Sequence, residues 1–164
     1  MSLVATRLAA IKPSPTLAVS AKAAQLKSEG KDIIGLGAGE PDFDTPQFIK
    51  DAAVEAMKKG LTKYTPAGGT VSLKKAIIAK FKRDNGLDYT PKQILVSCGG
   101  KHTSFNLCLA LLNPGDEVII PAPYWVSYPE MVMFGDGTPV IVPCPESSGF
   151  KLRPEDLERA ITPR

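Results

Sequence analysis

ILVSCGGKHTSFNLCLALLNPGDEVIIPAPYW, residues 94–125, is the stretch on which the fold turns. It opens with a short apolar run of strand length, Ile94 to Cys98, followed by Gly99 and Gly100. A helix is expected from Gly100 or Lys101 to Leu112, with Phe105, Leu109 and Leu112 on one stripe. Asn113, Pro114 and Gly115 stop it. Val118 to Ile120 is a second apolar run. Strand, glycine turn, helix and strand in this order imply a parallel pair with a right-handed crossover.

The glycine turn is where chemistry could sit. A helix that starts there turns unpaired N–H groups outward and carries about half a positive charge at that end. Glycines let a ligand approach the backbone, and such a turn suits a phosphate. Taken alone, the turn reads equally as a tight connection with nothing bound, because short glycine motifs recur by chance.

Outward from this unit the chain divides at turn residues. Residues 1–15 form an arm with little periodicity. Ser14 and Pro15 open a helix running to Glu29 and closed by Gly30. Asp32 to Leu36 reads as a short extended piece, and GLGAGEPDFDTP after it is too rich in Gly and Pro for regular structure. Thr45 and Pro46 read as cap and first turn of a helix to about Lys59, ended by Gly60. Phe48, Ile49, Ala52, Ala53, Ala56 and Met57 make its expected buried stripe. After the loop Lys63 to Gly69 comes a basic helix with Leu73, Ile77 and Phe81 inward, stopped by Asn85 and Gly86. Beyond the central unit, a helix is expected over Val126 to Phe134, a turn at Gly135 to Gly137, a strand over Pro139 to Val142 and a last helix over Pro154 to Ile161. The fold class is therefore α/β.

Composition excludes several classes. The chain has 164 residues, 43% hydrophobic and 23% charged, enough for one domain with a core. A net charge of +3, scattered along the chain, does not argue for nucleic acid. Lys74, Lys75, Lys80 and Lys82 read as the solvated face of a helix. No stretch is long and apolar enough to span a membrane, and the N-terminus lacks a signal-peptide core. Cys98, Cys108 and Cys144 show no metal spacing, and a reducing cytoplasm fits them best. GLGAGE invites comparison with the dinucleotide fingerprint, but Glu40 stands where the third glycine belongs, and Pro41 and Asp42 block an immediate helix.

Four motifs occur in order: GAGEPDFDTP at 37–46, KYTPAGG at 63–69, SCGGK at 97–101 and PAPYW at 121–125. Together they resemble class I aminotransferases that use pyridoxal phosphate, most closely the bacterial aspartate type. The resemblance covers nearly the whole chain. It implies the N-terminal part of the fold type I large domain, a three-layer α/β/α arrangement with an incomplete sheet. Residues 1–45 would be an arm and the start of the small domain, and residues 46–164 the first part of the large domain.

The resemblance also implies roles. Gly100, Lys101 and His102 match the phosphate cup, where the backbone does most of the binding; the family often has glutamine at the position of His102. Lys101 would sit at the phosphate end of the cofactor, the wrong end for the covalent lysine. Trp125 matches the tryptophan that stacks on the pyridine ring and faces substrate. Tyr64 matches a tyrosine that reaches the phosphate of the neighbouring subunit, which implies a homodimer. Gly39 matches a glycine whose backbone meets the substrate carboxylate. Read without the family, Tyr64 and Trp125 are packing aromatics, His102 is a helix-start residue and Gly39 is a loop glycine needing positive φ.

The covalent lysine, the acidic partner of the pyridine nitrogen and the carboxylate-clamping arginine lie on later segments of the family and are not among these residues. The chain therefore resembles the first two-fifths of an aminotransferase that moves an amino group from aspartate to 2-oxoglutarate or prephenate. A carbon–sulfur lyase and a non-catalytic module that self-associates are the alternatives. Consecutive strands usually neighbour one another. The family geometry instead implies that Ile94 to Cys98 stands apart and only the second and third strands pair.

Overall fold

The computed structural model describes residues 3–37 and 39–164. Among them, helices α1 (Pro15–Ser28), α2 (Gln47–Lys58), α3 (Val71–Asn85), α4 (Gly100–Leu111), α5 (Ser127–Phe134) and α6 (Pro154–Ala160) accompany strands β1 (Glu117–Ala122) and β2 (Thr138–Pro143). Short 3-10 turns lie at Thr6–Ala10, Pro91–Gln93 and Glu146–Ser148. The chain separates into two compact units. One holds residues 32–97, and the other residues 1–31 with 98–164.

The second of these carries the sheet. β1 and β2 run parallel in register, from Glu117 opposite Thr138 to Ala122 opposite Pro143. α5 makes the crossover between them and ends at Gly135, after which Asp136 turns with φ 63°. The ladder continues past both ends, with Thr138 N–H donating to Asp116 O at 2.8 Å and Cys144 N–H to Ala122 O at 2.7 Å. Pro121, Pro139 and Pro143 withhold ladder donors, which a two-stranded sheet tolerates because both of its strands are edges. The buried hydrophobic residues around it are Ile120, Val132, Val142 and Cys144. α4 packs on α5, where the rings of Phe105 and Phe134 lie 5.2 Å apart. Gly135 is required there: a Cβ would stand 3.0 Å from the Cys108 carbonyl oxygen.

At α1 the expected start holds, since Ser14 Oγ accepts from Leu17 N–H at 3.4 Å and Pro15 begins the helix. The arm before it contains the unforeseen 3-10 turn. That turn meets α5, and Arg7 lies 5.7 Å from the centre of the Phe134 ring.

The other unit holds α2, α3 and the segment 94–97. Thr70 Oγ1 caps α3 by accepting from Leu73 N–H at 3.3 Å, and Gly86 closes it at φ 67°. Phe81 meets Tyr89 with ring centres 5.6 Å apart. Val96 N–H donates to Gly68 O at 3.1 Å.

Several expectations are corrected. Ile94 to Cys98 is not a strand: the only sheet among the described residues is the β1–β2 pair, so the family arrangement and not the naive one is found. A parallel strand needs a neighbour to satisfy its ladder groups, and the backbone bonds of this segment are Ile94 N–H to Pro91 O, within the preceding turn, and Val96 N–H to Gly68 O. α2 begins at Gln47 with Pro46 at its cap and no side-chain bond from Thr45. Its apolar stripe is not buried, with Phe48 73% and Met57 60% exposed. In the same way Leu73 and Leu109 are exposed, while Ile77, Phe81 and Phe105 are half-buried. Asp32 to Leu36 forms no strand.

Candidate functional site

The site is built at the start of α4. Gly99 occupies the cap with φ 87°, a conformation that favours glycine, and it offers no side chain to the helix. The first main-chain bond of the helix is Thr103 N–H to Gly99 O at 3.3 Å. The N–H groups of Gly100, Lys101 and His102 precede it and therefore have no helical acceptor. A Cβ built on Gly99 or Gly100 would meet nothing within 4 Å, so the two glycines have open space beside them. α4 has no acidic residue in its first turn to compete for its positive end.

Two side chains shape the mouth. The His102 imidazole bends back, and its Nδ1 accepts from Cys98 N–H at 3.1 Å. Lys101 extends the other way, with Nζ 5.0 Å from the centre of the Trp125 ring. That is within cation–π range. Trp125 stands just beyond the carboxyl end of β1, past the cis peptide Ala122–Pro123, and is 41% exposed. Sites of open α/β sheets collect at such strand ends.

The structure therefore brings Gly100, Lys101, His102 and Trp125 into one neighbourhood. Tyr64 and Gly39 lie in the other compact unit. Tyr64 is fully exposed in its loop. Gly39 is also exposed, with open space around its Cα. The Lys101–Trp125 contact was not legible beforehand, because no local periodicity connects residues on a helix start and a strand end. The bond between Cys98 and His102 spans one helical turn and could have been suspected from the spacing.

The sequence pattern of the family described as aminotransferase class I and II matches residues 31–164. This chain belongs to that family. Its members depend on pyridoxal phosphate, and the fold is the N-terminal part of fold type I with an incomplete sheet. Among its relatives, the aspartate/prephenate aminotransferase of Nitrosomonas europaea is 65% identical over 158 residues, covering 96% of this chain and 40% of its own length. The aspartate aminotransferase of Geobacillus stearothermophilus is 57% identical over 98% of this chain and 41% of its own. The crystal structure of the Thermus thermophilus aspartate aminotransferase with maleate superposes with a TM-score of 0.95 at 51% identity, covering all of this chain and 43% of that one. The Rhizobium meliloti enzyme gives 0.94 at 52% identity, with 100% and 41% coverage. The chain thus spans about two-fifths of the length of these relatives.

The residues present have the donor chemistry that a phosphate ester needs. Three N–H groups there have no helical acceptor, and a Cβ at Gly99 or Gly100 would meet nothing within 4 Å. An indole stands nearby with Lys101 over its face. Among the described residues no helix is long and apolar enough to cross a membrane, and no cluster of His, Cys, Asp or Glu could hold a metal ion.

Proposed function

We propose that these residues are the N-terminal part of an aspartate aminotransferase that transfers an amino group from L-aspartate to a 2-oxo acid, 2-oxoglutarate or prephenate. The observation that carries this reading is the uncapped start of α4 beside Trp125. The names of the similar enzymes supply aspartate and prephenate, and the family resemblance supplies 2-oxoglutarate. The proposal includes a cytoplasmic location and a homodimer, in which Tyr64 would serve the neighbouring subunit's cofactor. Residues 1–45 belong with the arm and small domain, and residues 46–164 with the large domain.

In this reading the N–H groups of Gly100, Lys101 and His102 bind a phosphate ester. Three oriented donors and a helix dipole hold an anion with no reorganisation when it arrives. Trp125 fixes the plane of an attached aromatic ring and keeps water from one face of it. Gly39 presents its backbone to the substrate carboxylate. When bound, pyridoxal phosphate supplies an electron sink for charge developing at the amino acid's Cα.

Two experiments test the reading. Titration with inorganic phosphate, followed by amide NMR, should move the Gly100, Lys101 and His102 signals first; movement at distant amides alone would refute the cup. A polypeptide of these 164 residues alone should show no transamination in a coupled assay with aspartate and 2-oxoglutarate, since the covalent lysine and the arginine clamp lie on later family segments. Turnover at ordinary enzyme rates would overturn that expectation. The exposed face of α2 favours a second reading for the isolated polypeptide, a non-catalytic module that self-associates.

A further inference from the structure

A side chain at the cap of a helix often accepts one of the free N–H groups, as Ser14 and Thr70 do at α1 and α3. Such a cap would compete with an anion for the donors. At α4 the arrangement is inverted. Gly99 at the cap has no side chain, and His102, the third helical residue, reaches backward out of the helix. Its Nδ1 takes the N–H of Cys98, the residue before the cap, at 3.1 Å. Thr103 N–H to Gly99 O, at 3.3 Å, ties the same turn from the main chain. The backward arm of a capping box works similarly, but there the cap residue also consumes a helical donor. Here the turn is held while the Gly100, Lys101 and His102 donors stay free.

We propose that the His102 imidazole is a positioning residue for the phosphate cup: it fixes the Cys98–Gly100 turn by accepting the Cys98 N–H, and it binds no ligand itself. The proposal rests on the cup reading above and deepens it. Glycine at two successive positions leaves this turn with wide backbone freedom. Without a restraint the donors of Gly100 and Lys101 would not converge on one point. The bond also dictates the tautomer. An accepting Nδ1 carries a lone pair, so the neutral ring holds its proton on Nε2.

The test uses the isotope-labelled full chain. Long-range nitrogen–proton spectra of His102 should show the Nε2–H tautomer, and the Cys98 amide should be protected from exchange. H102A should lower that protection about fivefold to tenfold, as expected for one hydrogen bond. H102Q, whose side-chain amide oxygen also accepts, should retain it. Inorganic phosphate should bind more weakly to H102A and recover in H102Q. An Nδ1–H tautomer, or Cys98 exchange unchanged in H102A, would overturn the proposal. If H102A fails to fold, the wild-type tautomer and H102Q decide. If the tautomer and the protection hold but phosphate leaves the Gly100 amide unmoved, the positioning bond stands and the cup reading falls.

Discussion

Two glycines with positive φ show how differently one residue type can be constrained. At Gly99, φ 87°, an added Cβ meets open space, so alanine there brings backbone strain alone. At Gly69, φ 100°, an added Cβ would lie 2.5 Å from Val96 Cγ2 and 2.8 Å from Val96 Cβ. The clash falls beside the Val96 N–H to Gly68 O bond. Gly99→Ala is expected to destabilise the chain by about 1 kcal/mol and Gly69→Ala by about 3 kcal/mol, which urea unfolding would measure. A larger loss for Gly99→Ala than for Gly69→Ala would refute this order. The glycines themselves were plain in the sequence. Which of them faces a neighbour was not, because Val96 approaches Gly69 only after the chain has passed through α3.

Elements bounded by local chemistry were the legible ones. Ser14 and Pro15 at α1, Gly86 at α3, and Gly135 after α5 act within a few residues, so their effect can be read from spacing. Ile94 to Cys98 was misread because an apolar run gives a strand only when a partner exists, and partners are set by topology. α6 offers a test in acid. Asp156 accepts from Arg153 Nε at 2.7 Å and from Arg159, and these bonds, the Arg153 one foremost, hold its carboxyl below the ordinary range. The folded state therefore binds its proton less readily than the unfolded state. The contribution is complete above the usual Asp value of about 3.9 and is lost as pH falls through the lower folded value. Amide protection at Leu157 and Ile161 should fall in that acid window, and Asp156→Asn should remove the pH dependence. In the crossover, Val132 is 2% exposed. Val132→Ala should cost about 2 kcal/mol in unfolding experiments.

At the scale of the whole molecule, apolar surface outruns apolar cover. Among the described residues only Ile94, Ile120, Val132, Val142 and Cys144 are buried hydrophobics. α2 buries none of its residues, although its sequence carries a well-formed apolar stripe. Faces of this kind drive association, and uncovered parallel strands add to it. Light scattering on these 164 residues should show association that rises with concentration, and a Phe48→Lys, Met57→Lys pair should reduce it. A monodisperse monomer at high concentration would contradict this. The sequence announced the stripe; whether anything covers it depends on segments far away in the chain, which no local pattern reports.

Trp125 is the only tryptophan in these 164 residues, and it stands beside the start of α4, the proposed cup, with an ammonium group over its ring. In a polypeptide of these 164 residues, selective excitation of indole therefore lights one place. A ligand entering the cup alters the polarity and quenching around that single fluorophore, and no other tryptophan dilutes the change. The candidate site carries its own optical reporter, readable in dilute solution without a label.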